Sequence, residues 1–305
     1  MSEPMERIAA AYLKEQKRAR RWRIFFKSCW LIIVIAILVA IFSGFHKSRP
    51  LPEAHVSLVN LEGIIAEDAP ANAERINQSL AVAFKAKGTR AVVLQINSPG
   101  GSPVQSDDIY QQIRYLEKQY PKIPLYAICT DICASGGYYV ASAAKEIYAN
   151  KMTLTGSIGV RADGFGFVDL LKKIGVQRRL YIAGKNKAFL DPFKPQNAYQ
   201  VAEMEKLLSQ AHQVFIDAVK TGRGKRLDNK AENIIFSGMP FSGIQAKKYG
   251  LIDDFASLDT LKHDQFKNLP IVNYTKPLPL LDEISSKLGT EVSYQAASLA
   301  GIKLH

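Results

Sequence analysis

Apolar positions along the chain follow two regimes. Residues 29–45 (CWLIIVIAILVAIFSGF) are seventeen in a row without a charge, whereas beyond residue 55 the apolar stretches are short and regularly interrupted. The first run has no polar face, which argues against a helix lying on a soluble core. Ile24, Phe25 and Phe26 extend it beyond Lys27, whose stem can snorkel, toward the ~20 residues needed to cross a bilayer. We therefore expect a transmembrane signal anchor over residues 28–45. The run exceeds a secretory h-region and no A-x-A-like cleavage site follows, so the anchor reads as uncleaved.

After a polar, proline-containing linker at 46–54, strand and helix patterns alternate. Strands are predicted at 56–61, 91–96 (AVVLQI), 125–129 and 146–149. Helices are predicted at 73–87, 106–119, from near Ser135, at 197–221 and at 242–249. Near-continuous apolar strands separated by helices imply a parallel sheet covered by helices. The expected organisation is a basic N-terminus (1–27), an anchor (28–45), a linker (46–54), one α/β domain (55–262) and a C-terminal extension (263–305).

Charge sharpens the picture. The 305 residues carry a formal +12, and residues 1–49 hold ten Lys/Arg against three acids, so +7 lies there and +5 is left for the remainder. Basicity confined to one end does not make a nucleic-acid surface, and no nucleic-acid partner is expected. Eight of the ten basic residues precede the apolar run, so the positive-inside rule predicts a cytoplasmic N-terminus. Everything after Phe45 is then expected on the outer side of the membrane, with membrane lipid as a partner of the span. Cys29 lies in the span. Cys129 and Cys133 are either small buried residues or a pair that an exported domain could oxidise. No metal-ligand spacing appears, and neither metal nor cofactor is expected.

Parallel sheets place working loops at the carboxyl ends of strands. Two such loops are rich here. Asn97-Ser98-Pro99-Gly100-Gly101 follows the strand at 91–96, and its glycines let backbone amides approach a ligand. Ala134-Ser135-Gly136-Gly137-Tyr138-Tyr139 follows the strand at 125–129 and opens a helix. Ser135 there is either an N-cap or a nucleophile whose small neighbours leave its hydroxyl reachable. His46, His55, His212, His263 and His305 all fall outside the predicted loops at strand carboxyl ends, so a Ser-His-Asp triad is poorly supplied. Lysine, in the stretch 181–189 (YIAGKNKAF) after a strand-like segment, is the remaining base.

Together, NSPGG (97–101), ASGGYY (134–139), LTGSIGV (154–160), GKNKA (184–188) and GLID (250–253) resemble the signal peptide peptidase A family of serine–lysine peptidases. The resemblance covers roughly residues 55–255 and fits the short form, with one copy of the fold. It implies an α/β, ClpP/crotonase-like parallel-sheet core with surrounding helices, preceded by one transmembrane helix. It also implies Ser135 as nucleophile, Lys187 as general base and Ser157 as the hydroxyl that orients the lysine. Gly100, Gly101 and Gly136 match the oxyanion hole. The implied substrates are signal peptides and other extended apolar peptides. The implied assembly is a homo-oligomeric ring whose sites draw serine and lysine from adjacent subunits. The Cys129-Thr130-Asp131-Ile132-Cys133 approach to the nucleophile departs from the family's smaller, uncharged residues.

A serine–lysine pair makes a physical demand. An amine that titrates near ~10.4 in water must be brought to ~7–8 to act as a base, which desolvation can do. Ala188, Phe189 and Phe193 offer apolar cover, and Asp191 is expected to point away. Tyr138, Tyr139 and Phe165 are read as either substrate-pocket or core aromatics. Two other readings fit the fold: a membrane-tethered acyl-CoA enzyme, and a catalytically silent scaffold.

Overall fold

The computed structural model describes residues 3–45 and 52–278, and divides into two compact units, Met1–Leu51 and Pro52–His305. In the first unit, α1 (Glu3–Phe45) is one uninterrupted helix. Trp30, Leu31, Ile32 and Ile33 on it are each more than half exposed. Among the described residues no helix is long and apolar enough to cross a membrane. The side chains of residues 37–45 of the expected span, and the linker residues 46–51, lie outside what is described.

The second unit runs β1 (His55–Glu62), α2 (Ala73–Lys85), β2 (Thr89–Ser98), α3 (Pro103–Gln119), β3 (Leu125–Ala134), α4 (Gly136–Ala141), β4 (Glu146–Ala149) and β5 (Leu154–Gly156). It continues through α5 (Val168–Lys173), α6 (Ala198–Arg223), α7 (Glu232–Ile235), β6 (Pro240–Ser242), α8 (Gly243–Lys248), β7 (Asp254–Phe255), α9 (Leu258–Asp264) and β8 (Ile271–Asn273). The eight strands form one sheet with the path β6-β5-β3-β2-β1-β8, and β4 and β7 branch from β3. All pairs are parallel except β5 with β6.

Central strand β2 explains the architecture. Ala91, Val92, Val93, Leu94 and Ile96 are all buried, so both faces of the sheet need cover. Val92, Leu94 and Ile96 pack with α2, α3 and α4, while Ala91 and Val93 join Tyr126, Ile128, Leu261 and Phe266 on the face of α9. Helix starts are encoded locally. Asn72 caps α2 by accepting from the Arg75 amide at 2.8 Å. Ser102 caps α3 with Pro103 in its first turn.

Three features depart from the sequence expectation. β3 does not stop at residue 129 but continues through a bulge to Ala134. No strand precedes Tyr181: Val176 and Tyr181 are exposed, no strand lies beside them, and residues 159–197 hold only α5. At the C-terminal side α9 crosses the expected boundary at residue 262, and β8 adds to the sheet beside β1. Tyr274 shares a 2.9 Å hydrogen bond with His55, and the Asn60 amide donates to Thr275 Oγ1 at 2.8 Å. Residues 279–305 of the extension lie outside the described residues.

Candidate active site

The site begins with a change of partner in β3. Residues 126–129 pair with β4, and residues 132–134 pair with β5. Between them the register against β2 slips, with Ile96 opposite Cys129 and Ser98 opposite Cys133. One residue of β2, Asn97, therefore faces three of β3. Its side chain holds the bulge at two points, accepting from the Ile132 amide at 3.2 Å and donating to Asp131 at 3.3 Å. Bulges of this kind re-aim a strand. Here the re-aimed strand ends on Ser135.

Ser135 has φ 51 and ψ −123, a backbone region that side chains rarely occupy. The surroundings over-determine it. Its amide donates to the Gly156 carbonyl at 2.9 Å, and its carbonyl accepts from the Tyr139 amide at 2.8 Å. No side-chain capping bond forms at α4, so the half-buried Ser135 hydroxyl is not used as an N-cap. A strained strand-to-helix turn that leaves a hydroxyl uncommitted is the geometry of a nucleophile elbow.

The glycine turn after β2 lies against this elbow. A Cβ on Gly100 would fall 2.7 Å from the Gly136 nitrogen and 2.8 Å from Ser135 Cβ. A Cβ on Gly136 would fall 3.3 Å from the Gly101 nitrogen. The amides of Gly101 and Gly136 thus flank one small space beside Ser135. As the first residue of α4, Gly136 has no acceptor within the helix for its N–H. The turn is fixed from behind by Ile65, whose amide donates to Gly100 at 2.9 Å and whose carbonyl accepts from Ser102 at 2.7 Å.

Ser157 reaches the same place through its neighbour. Gly156 accepts the Ser135 amide bond, and Ser157, at φ 49, donates its amide to Met239 at 2.9 Å. His212, which the sequence marks only as a helix residue, bonds the next carbonyl, Ile158, at 3.0 Å. His55 is bound to Tyr274, and His263 lies in the last turn of α9; His46 and His305 lie outside the described residues.

Lys187 is exposed in the turn that follows Gly184, and its ammonium bonds neither Ser135 nor Ser157 among the described residues. Asp191 turns to Arg178, whose guanidinium hydrogen bond holds its carboxyl below the ordinary range. Phe193 stacks on Phe167 and lies under Arg178, so the expected apolar cover does not close over Lys187 within one chain. Tyr138 and Tyr139 are core residues, while Phe165 is 80% exposed. The structure therefore brings together Ser135, Gly100, Gly101, Gly136 and the Ser157 loop, and leaves Lys187 on an exposed arm.

The GLID stretch has a supporting role that its residue types alone do not announce. A Cβ on Gly250 would collide with the Arg226 carbonyl. Asp253 accepts from the Ile147 amide at 2.7 Å and from buried Arg223 at 2.8 Å. Burial pushes the Asp253 carboxyl up, but the Arg223 contacts outweigh it and hold the group below its usual value. Tyr138, at the base of α4, donates its hydroxyl to Leu251 at 2.7 Å. These bonds anchor the helix that begins at the elbow.

Two family models and several known proteins resemble this chain. Residues 117–268 match the model for peptidase family S49, and residues 59–155 match that for Clp protease. A putative signal peptide peptidase SppA of Enterococcus faecium is 27% identical over 284 residues, covering 81% of this chain and 81% of that protein. A protein of Brucella melitensis biotype 1 named Na(+)/H(+) antiporter NhaA is 40% identical over 227 residues, covering 74% of this chain. Of that relative's own length the chain spans 28%. Among solved structures, a lysine-to-alanine mutant of the 1510-N membrane-bound stomatin-specific protease in complex with a substrate peptide matches with TM-score 0.49. It is 16% identical and covers 78% of this chain and 99% of that one. The stretch 117–268 thus groups with peptidase family S49, and the relatives of this chain include proteins named signal peptide peptidase SppA and Protease 4.

Proposed function

We propose that this chain is a membrane-anchored endopeptidase that uses Ser135 and Lys187 to degrade cleaved signal peptides and similar extended apolar peptides outside the cytoplasmic membrane. The observation that carries the catalytic part is the conformation of Ser135, held at φ 51 against the Gly100–Gly101 turn. Strain kept in place by packing and hydrogen bonds belongs where a side chain has work to do.

In this reading neutral Lys187 takes the proton of Ser135, and the serine oxygen attacks a peptide carbonyl. The amides of Gly101 and Gly136 hold the oxyanion, the amine departs, and water hydrolyses the acyl-enzyme. Gly100 gives the turn its backbone shape, and the Ser157 hydroxyl orients the lysine. Lys187 is exposed in the single chain, on an arm that also exposes Phe165, Ile174 and Tyr181. Exposed apolar residues at this density favour an interface between copies. An adjacent copy would then bring the lysine under apolar cover and beside the serine, within a ring. The apolar run of α1, after its cluster of basic residues, supports anchoring with the N-terminus in the cytoplasm.

The test mixes two inactive proteins. Ser135→Ala and Lys187→Ala should each lose peptide cleavage while remaining folded, and mixed oligomers should recover part of the activity. Cleavage retained by either variant alone would overturn the residue assignment. Failure of the mixture to recover activity would overturn the shared site. Covalent labelling of Ser135 by a fluorophosphonate separates this reading from a silent scaffold or an acyl-CoA enzyme, neither of which should label.

A further inference from the structure

Cys129 and Cys133 have no part in the chemistry above, yet the fold brings them together beside it. In an unbroken strand, residues four apart would be separated by about 13 Å. The bulge changes this. Cys129 lies opposite Ile96 and Cys133 opposite Ser98, so the two cysteines stand at positions that are only two steps apart on β2. Two strand steps span about 6.6 Å, inside the range of about 4.4–6.8 Å between Cα atoms that a disulfide bridges. Both residues are buried and belong to the same apolar cluster as Tyr138, so their side chains share one face of the sheet. Both thiols are free in this structure. Burial, with Cys129 as its neighbour, pushes the Cys133 thiol up.

We propose that Cys129 and Cys133 form a disulfide across the neck of the β3 bulge, a covalent tie on the strand that presents Ser135. The oxidant is a disulfide-bearing compound. One cysteine thiolate attacks its S–S bond, giving a mixed disulfide and releasing one thiol. The second cysteine then attacks the mixed disulfide, releasing the other thiol. Both protein thiols lose their protons, the pair gives up two electrons, and the oxidant's S–S bond takes them up. The backbone on either side is already held: Thr155 donates to the Cys133 carbonyl at 2.7 Å, and Thr130 donates to the Ile96 carbonyl at 3.2 Å. The tie therefore closes on existing geometry and leaves the elbow unchanged. Both thiols are buried, so the reaction follows opening of the bulge and is slow.

The test uses the full chain in detergent with Cys29→Ser, so that only this pair can report. It is held warm with 2-hydroxyethyl disulfide, then denatured, alkylated and weighed. Both thiols should disappear together as an internal link within the peptide carrying residues 129–133, and a phosphine should restore them. Tm should rise by about 5 °C on oxidation and fall back on reduction, as expected for closing a short loop. Cys129→Ala/Cys133→Ala should show no such response, and fluorophosphonate labelling of Ser135 should be the same in both redox states. Two thiols still open to alkylation after oxidant treatment would overturn the proposal. So would a link that lowers Tm or abolishes labelling. The mass readout does not depend on peptide cleavage, so its outcome is separate from that of the catalytic assignment.

Discussion

Gly100 and Ser135 are in contact, with room for one side chain between them and not two: a Cβ added to Gly100 would lie 2.8 Å from Ser135 Cβ. The turn can approach the elbow only because position 100 has no side chain, and its φ of 98 is itself a glycine conformation. Gly100→Ala should therefore push the Gly101 and Gly136 amides, the proposed oxyanion hole, out of line. The expected loss in kcat is about 100-fold or more, the scale of removing one oxyanion donor. Circular dichroism beside peptide cleavage would check it, and full activity would refute the role of this turn.

The strain at Ser135 should be measurable as stability. Glycine accepts φ 51 at no steric cost, whereas serine or alanine there carries a penalty of about 1–2 kcal/mol. Ser135→Gly should unfold at a higher temperature than Ser135→Ala, although both lack the Ser135 hydroxyl. Equal melting temperatures would mean that the elbow stores no strain.

Asp253 links acid stability to the helix that begins at the elbow. Its folded-state carboxyl titrates below the ordinary 3.8. Its contribution is thus fully present above that value and is lost as pH falls through the lower folded value. Asp253→Asn should flatten the loss of stability on acidification in this window. Asp253→Ala leaves the Arg223 side chain, 0% exposed, without its carboxylate. That substitution should cost about 3 kcal/mol, read from denaturant unfolding at neutral pH.

Asn97 holds the bulge and touches no substrate in the proposed mechanism. Asn97→Ala removes both bonds to residues 131 and 132. A stability loss of about 1–2 kcal/mol is expected, with kcat falling while KM is little changed. A change in KM alone would place Asn97 in peptide binding rather than in positioning.

Much of this fold is written in local pattern. The Ser102 cap lies a turn ahead of the helix start expected at residue 106, whereas the apolar run of β2 announces its strand because it depends on near neighbours. The bulge does not, since β3 turns at residues 130–132 to leave β4 and join β5, whose three residues carry little strand signal of their own. The Ser135 elbow and the glycine turn are legible as loops at strand ends. The contact between them depends on pairing of β2 with β3, which no local rule contains. Lys187 rests on family likeness, and an exposed arm offers nothing in one chain to distinguish it from Lys185. Arg223 and His212 went unmarked because a buried ion pair and a carbonyl tether become visible only when distant segments meet.

The late strand β8 has a consequence for how the molecule comes into being. β1 is among the first segments of its unit to leave the ribosome, yet one of its two neighbours is residues 271–273. For most of synthesis that flank has bare amides and carbonyls, open to pairing with any passing chain. Closure of the sheet must wait for the strap carrying Tyr274, so the nascent domain stays incomplete until nearly all of the described chain has been made.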